Sequence, residues 1–380
     1  MDKNLIVIWV VTFTTMLGIG LIAPILSFYA KTLGANNFEI SLIFSIFMIA
    51  RTLAQIPAGA LSDIYGKKLF LTIGTFFYGV ATFFYNFVSS IFDLIMVRFF
   101  TGVFSAFVTP IASSYVSSIA PKDKMGQYMG FFNSSIGMGF GVGPFIGGFL
   151  AQNFGIKAPF YFCGALGVLA SIICYLKLDE VKFERKEEKI NIKLYLKDKK
   201  FLVPFLFNTF ILMGNSSIIV FLTIYAYRFG IGLDGSGFLI ALTNIVSALL
   251  QRKLGALYDK YNFKILPLGI ILISLGFLLL SISNNFYKFL LSLLIQAIGS
   301  GLVSTALMSY VANIIPNERK GEGLGLFTTS LNFGFMIGAL IFGAIAYFID
   351  IGNTYKLVAI LSLIVGFIFY IKLKDQICSV

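Results

Sequence analysis

The chain is 380 residues long, 58% hydrophobic and only 12% charged, with a mean hydropathy of +0.90 and a formal net charge of +12. This balance excludes a soluble globular domain and makes the lipid bilayer the solvent. With no histidine, three cysteines at no metal-ligand spacing and no phosphate loop, the residues also argue against a membrane enzyme, a metal and a bound cofactor.

Twelve segments are long enough to cross about 30 Å of hydrocarbon as helices. In chain order they are predicted at 4–30, 38–61, 69–88, 92–119, 126–150 and 158–177, then at 201–226, 236–257, 265–283, 288–315, 322–348 and 355–372. Helices are expected because the segments lack the alternating polar pattern of a membrane barrel and lipid satisfies no backbone group. The first apolar run exceeds 20 residues and no small-residue cleavage site precedes the next charged loop, so it is read as span 1 and not as a removable leader. Cys163 and Cys174 share span 6, about 16 Å apart at ~1.5 Å per residue, beyond disulfide reach, and Cys378 lies too close to the end for prenylation.

Orientation follows from lysine and arginine. Placing the amino terminus inside puts 22 of the 29 basic residues in inner loops, 5 in outer ones, and leaves Arg51 and Arg98 within spans. Both termini are therefore expected in the cytoplasm of a cell-membrane protein. Basic loops facing anionic headgroups account for the net charge without a nucleic acid partner. Between residues 178 and 200 the chain alternates signs densely, which reads as a solvated cytoplasmic tether joining a bundle at 1–177 to a second at 201–380.

The two halves repeat. Gly59, Ala60, Leu61 and Asp63 return as Gly255, Ala256, Leu257 and Asp259, 196 positions on. Gly18, Tyr29 and Gly34 match Gly214, Tyr225 and Gly230 at the same shift. Tyr115, Pro121, Gly126 and Gly130 match Tyr310, Pro316, Gly321 and Gly325 at a shift of 195. A tandem pair of six-helix units in a membrane points to a transporter.

These residues resemble the major facilitator superfamily over essentially the whole chain. Gly59, Asp63, Gly66, Lys67 and Lys68 look like its loop between helices 2 and 3, and Asp259 is the repeat of that acid. Arg98 with Gly102 looks like its buried arginine motif. Gly139, Gly143, Pro144, Gly147 and Gly148 look like the glycine and proline pattern of its antiporters. The strings LGIGLIAP at 17–24 and PFYFCGALG at 159–167 are similar to the twelve-helix drug:proton antiporter branch, of the quinolone and multidrug efflux kind. The resemblance implies an all-α, twelve-helix fold of two pseudo-repeats, and a latch in which Asp63 meets the positive end of helix 11. Such a contact is worth ~0.3–1 kcal/mol when exposed, weak enough to break in each cycle. Glycines four apart on span 5 let a partner helix approach, while Pro144 removes a backbone bond, which suits a gate.

Arg51 and Arg98 are costly inside a membrane, roughly 2.5–3.5 kcal/mol each on insertion scales, so both are expected to face the interior cavity. Arg51 is a candidate substrate contact and Arg98 an organiser of helix packing. The rest of the expected cavity lining is Gln55, Asn133, Phe140, Asn215, Asn244, Gln296 and Asn332. None of the 17 acids falls in the middle of a span, so no embedded carboxylate is available as proton carrier, and Glu39, Asp93, Asp234, Asp63 and Glu322 at span ends stand in for it. A cavity with two arginines and no carboxylate disfavours organic cations.

The expectation is a monomeric exporter of small amphiphilic molecules working by alternating access in exchange for protons, with lipid as its other partner. Two alternatives stay open: an uncoupled facilitator or exchanger for a small anion or zwitterion, and a membrane interaction protein that transports nothing.

Overall fold

The computed structural model describes residues 2–121, 124–180, 195, 197–315 and 320–378. The described residues contain twelve helical segments long and apolar enough to cross a membrane. Spans 1 to 3 are Lys3–Thr32, Asn37–Tyr65 and Lys67–Phe83, the last running on into a short 3-10 turn at Phe84–Phe87. Span 4 comprises Ile91–Ser105 and Thr109–Ile119, followed by span 5 at Met125–Phe154 and span 6 at Ala158–Lys177. Spans 7 and 8 are Lys199–Tyr227 and Leu233–Tyr261. Span 9 opens with a 3-10 turn at Asn262–Ile265 and continues as Leu266–Ser281. Spans 10, 11 and 12 are Phe286–Ile314, Lys320–Ile349 and Ile351–Cys378.

The helices are uniformly apolar because lipid replaces water as the outer solvent, so what starts and stops each one is local polar chemistry. Asn36 and Glu39 close a reciprocal capping box at span 2, and Ser90 and Asp93 do the same at span 4. Asp2, Asp198 and Asn285 each accept from a backbone N–H at the start of spans 1, 7 and 10. Spans 1 and 7 end alike: Gly34 and Gly230 take positive φ values of 87° and 76°. The amides of Ala35 and Ile231 then reach back five residues to the Ala30 and Ala226 carbonyls.

The duplication is visible in bonds as well as in letters. Tyr29 donates to the Tyr85 carbonyl at 3.1 Å, and Tyr225, 196 positions on, donates to the Ser281 carbonyl at 2.7 Å, also 196 positions on. Span 1 packs chiefly on span 5 and span 3 on span 6; span 7 likewise packs chiefly on span 11, while span 9 packs on span 10 even more than on span 12.

The chain divides into two compact units. One holds residues 1–186 together with 232–241, and the other holds 187–231 with 242–380. The start of span 8 thus belongs with the first unit, where the repeat alone would have assigned it to the second. Most of the charged tether, at 181–194 and 196, lies outside the described residues. Within the described residues, Cys163 and Cys174 are buried free thiols.

Three boundaries differ from the sequence reading. Span 4, expected as one helix over 92–119, breaks at 106–108, where the amides of Ala106, Phe107 and Val108 bond three residues back. Pro110 explains the break, since it supplies no N–H and its ring disfavours helical geometry in the residue before it. Spans 2 and 8 run on to Tyr65 and Tyr261, so Asp63 and Asp259 sit in final helical turns and not in loops. Gly66, at φ 104°, is where the chain actually turns between spans 2 and 3, in a conformation that a side chain would strain.

Candidate functional site

Span 5 makes the tightest helix contact of the first unit. A methyl placed on Gly139 would lie 2.7 Å from the Leu17 nitrogen, and one on Gly143 would lie 2.8 Å from the Leu17 oxygen. Gly147 similarly meets the Leu21 oxygen. The four-residue spacing thus puts three bare backbones on the span 1 face, where only the absence of Cβ permits contact. Gly148 points elsewhere and meets the Leu233 oxygen, while Gly237 meets the Pro144 oxygen. Gln152 accepts from the Leu233 amide at 3.2 Å and Phe145 stacks edgewise on Phe238, which completes the seat of residues 232–241 on span 5. Pro144 lies inside one continuous helix.

At the other end of the first unit, the Asp63 carboxylate is 56% exposed and pairs with Lys67 at 3.6 Å. Lys67 is almost wholly buried and donates to Ser114 at 2.6 Å. The Lys68 ammonium lies 5.6 Å from the Tyr175 ring. Its amide faces the Glu180 carboxylate at 3.5 Å, and that carboxylate also crowds Gly66. Gly59 faces open space. The side chain of Asp259 lies outside the described residues.

The two embedded arginines have different surroundings. Arg98 is buried, its guanidinium 4.6 Å from the Phe47 ring and 5.3 Å from the Phe44 ring of span 2. Stacking on two aromatic faces stabilises the cation, and among the described residues no carboxylate pairs with it. Gly102, one turn on, lets span 4 approach the Phe47 carbonyl. Arg98 therefore packs spans 2 and 4 together. Arg51 is half-buried and donates to Thr109 at 3.3 Å, with its Nε unbonded among the described residues. Gln55 is half-buried one turn along the same helix, Phe140 is half-buried on span 5, and Asn133 is exposed.

In the second unit the structure brings Asn215 and Gln296 together: the Gln296 amide donates to Asn215 at 2.6 Å and to Ser300 at 2.8 Å. These groups satisfy one another across spans 7 and 10. Asn244 is exposed and Asn332 half-buried, and neither joins that cluster. A cavity of about 570 Å³ opens between spans 7, 10 and 11, lined by Asn208, Leu212, Ser304, Thr305, Met308, Ser309, Phe327, Thr328, Ser330 and Leu331. Sequence reasoning missed this wall because it sought amides and charges. The readable signal was the hydroxyl spacing on span 10, where Ser300 and Ser304, and Thr305 and Ser309, stand four apart on adjoining stripes.

Four of the five stand-in acids near the span ends are occupied by local bonds, Asp63 by its pair with Lys67, and the side chain of Glu322 lies outside the described residues. Glu39 and Asp93 cap helices, and Asp234 accepts from the Gly235 amide.

Twelve apolar helices in two units, with a polar-walled cavity in one and a glycine-seated helix contact in the other, define a polytopic membrane transporter. The chain belongs to the Major Facilitator Superfamily, whose family model matches residues 8–265 and 205–376. It is 53% identical to the MFS-type transporter MJ1560 of Methanocaldococcus jannaschii, over 98% of this chain and 99% of that one. It is 29% identical to the quinolone resistance protein NorA of Staphylococcus aureus, over 91% of this chain and 90% of that one. Its fold matches a bacterial homologue of the human lysosomal transporter Spinster, in an inward-facing and occupied conformation, with a TM-score of 0.87. That match covers 99% of this chain and 98% of the other at 14% identity. The chain is thus a transporter of small molecules and not an enzyme.

Proposed function

We propose that this transporter exports small amphiphilic molecules across the cell membrane by alternating access, in exchange for protons, with both termini in the cytoplasm. The observation that carries the reading is the glycine face of span 5, which brings its backbone against span 1 and residues 232–241. A contact made chiefly by backbone, with Phe145 on Phe238 and Gln152 on the Leu233 amide as its side-chain additions, has few interlocking side chains to unpack, so it can part and re-form as a gate must. The similarity to a quinolone resistance protein over nine-tenths of the chain supports export as the direction and drug-like amphiphiles as the cargo.

In this reading the Asp63 turn is the latch. Lys67 is buried and held by Ser114, so it stays in place, whereas Asp63 is more than half exposed and held by one pair at 3.6 Å. The Asp63 end of the pair is open to solvent and its contact is long, so Asp63 can exchange partners within a transport cycle while Lys67 stays seated.

A second reading, exchange of a small anion, is favoured by one observation: among the described residues neither Arg51 nor Arg98 forms an ion pair with a carboxylate. Uptake of anionic, zwitterionic and cationic amphiphiles into inside-out vesicles, with and without an imposed proton gradient, separates the two. Gradient-dependent accumulation supports the exporter. Simple equilibration of anions, lost in Arg51→Gln, would replace it with the exchanger.

A further inference from the structure

The cavity between spans 7, 10 and 11 carries unused hydrogen-bonding capacity. Hydroxyls within membrane helices commonly bond back to a carbonyl three or four residues earlier, as Thr209, Ser216 and Ser217 do on span 7 and Thr328 does on span 11. Ser304, Thr305 and Ser309 line the cavity from span 10, and none of their hydroxyls bonds to another described residue. Asn208 borders the cavity but offers it no free group. Its amide nitrogen donates to Ser330 at 2.8 Å, and its oxygen is buried.

The rest of the wall is Leu212, Met308, Phe327 and Leu331, with Thr328 and Ser330, so the three half-buried hydroxyls are spare polar groups on a largely apolar surface. Among the described residues, no charged side chain lines the cavity. A cationic or anionic group placed there would lose its hydration without gaining a counter-charge, whereas a hydroxyl, amide or carbonyl would find both donors and acceptors. The apolar remainder of the wall suits the ring or chain of the same molecule.

We infer that this cavity is a substrate subsite selecting uncharged amphiphiles, with Ser304, Thr305 and Ser309 binding the polar part of the cargo. The inference rests on the exporter reading and names its substrate class. It moves the expected polar contacts away from Asn215 and Gln296, which already satisfy each other.

The test is saturable uptake into inside-out vesicles of three probes: uncharged chloramphenicol, cationic tetraphenylphosphonium and anionic anilinonaphthalene sulfonate. Wild type is expected to move chloramphenicol. The triple variant Ser304→Ala, Thr305→Val and Ser309→Ala should raise its KM about tenfold with little change in kcat, because the lost bonds act in binding. A single Ser304→Asp variant guards against failure of the triple to fold, and should raise KM for chloramphenicol while lowering it for tetraphenylphosphonium. An unchanged KM in these variants, or a wild type that moves only the charged probes, overturns the subsite and leaves the exporter standing. Wild-type vesicles that move none of the probes would sink the exporter reading, and this inference with it.

Discussion

Replacing Gly143 by alanine tests the packing logic of span 5 directly. The added methyl would lie 2.8 Å from the Leu17 oxygen and 2.9 Å from the Leu21 nitrogen, both backbone atoms of a neighbouring helix that cannot swing aside. Normal carbon contacts are about 3.5–4.0 Å, so span 5 must recede by roughly 1 Å along that face. Overpacking of this kind costs about 1–3 kcal/mol. Gly137, on the same helix, has no neighbour within 4 Å of its would-be methyl, so Gly137→Ala should gain about 0.5–1 kcal/mol from reduced backbone freedom. The two identical chemical changes are therefore expected to move stability in opposite directions. A thiol-reactive dye reports this through Cys163 and Cys174, which are buried in the folded protein and become reactive when purified protein is heated in detergent. Gly143→Ala should melt below wild type and Gly137→Ala at or above it. Equal melting of the two variants would refute the claim that backbone contact with span 1 governs this face.

Asp63→Asn should leave folding intact, since Asp63 is more than half exposed and Lys67 keeps its bond to Ser114, yet reduce transport at least about tenfold if the turn is a latch; vesicle uptake at matched protein levels decides it. Arg51→Gln should leave transport of uncharged cargo within about threefold of wild type, because the guanidinium's bond to Thr109 can be replaced by an amide donor; loss of all activity would instead favour anion exchange. Arg228 and Asp350 pair at 2.6 Å between span ends. Partial burial raises the Asp350 carboxyl, but the bond from Arg228 and the amides of Gly352 and Ile351 outweigh it and hold the group below its ordinary value. A depressed folded value means that the pair stabilises above the unfolded carboxylate pKa of about 3.9 and loses that contribution as pH falls through the lowered folded value. Asp350→Asn should therefore cost up to about 1 kcal/mol at neutral pH, discounted for exposure, and the difference from wild type should close in melts taken toward strong acid.

The readable part of this protein is what solvent and chain-local chemistry impose. Long apolar runs have one way to satisfy backbone groups in lipid, so the twelve helices could be placed from residue types alone. Caps such as Asn36 with Glu39 are written within four residues, and Tyr29 and Tyr225 announce the duplication because the same hydrogen bond was inherited twice. The glycines of span 5 were legible as a packing face by their spacing. What they would pack against was not, because that depends on which helices are neighbours. The partners of the polar groups were hidden for the same reason: amides look like ligand groups in a sequence, yet Asn215 and Gln296 bond to each other across two spans.

Sequence by itself determined the membrane solvent, the number of spans, the tandem repeat and the family motifs, since each depends on composition or on residues close in the chain. Only the tertiary structure decided which polar groups are consumed and which are spare. It put Arg98 between two aromatic rings and Lys67 against Ser114, and it left Ser304, Thr305 and Ser309 facing a cavity. Hydrogen-bond satisfaction is a property of groups brought together from distant spans, and no local pattern encodes it.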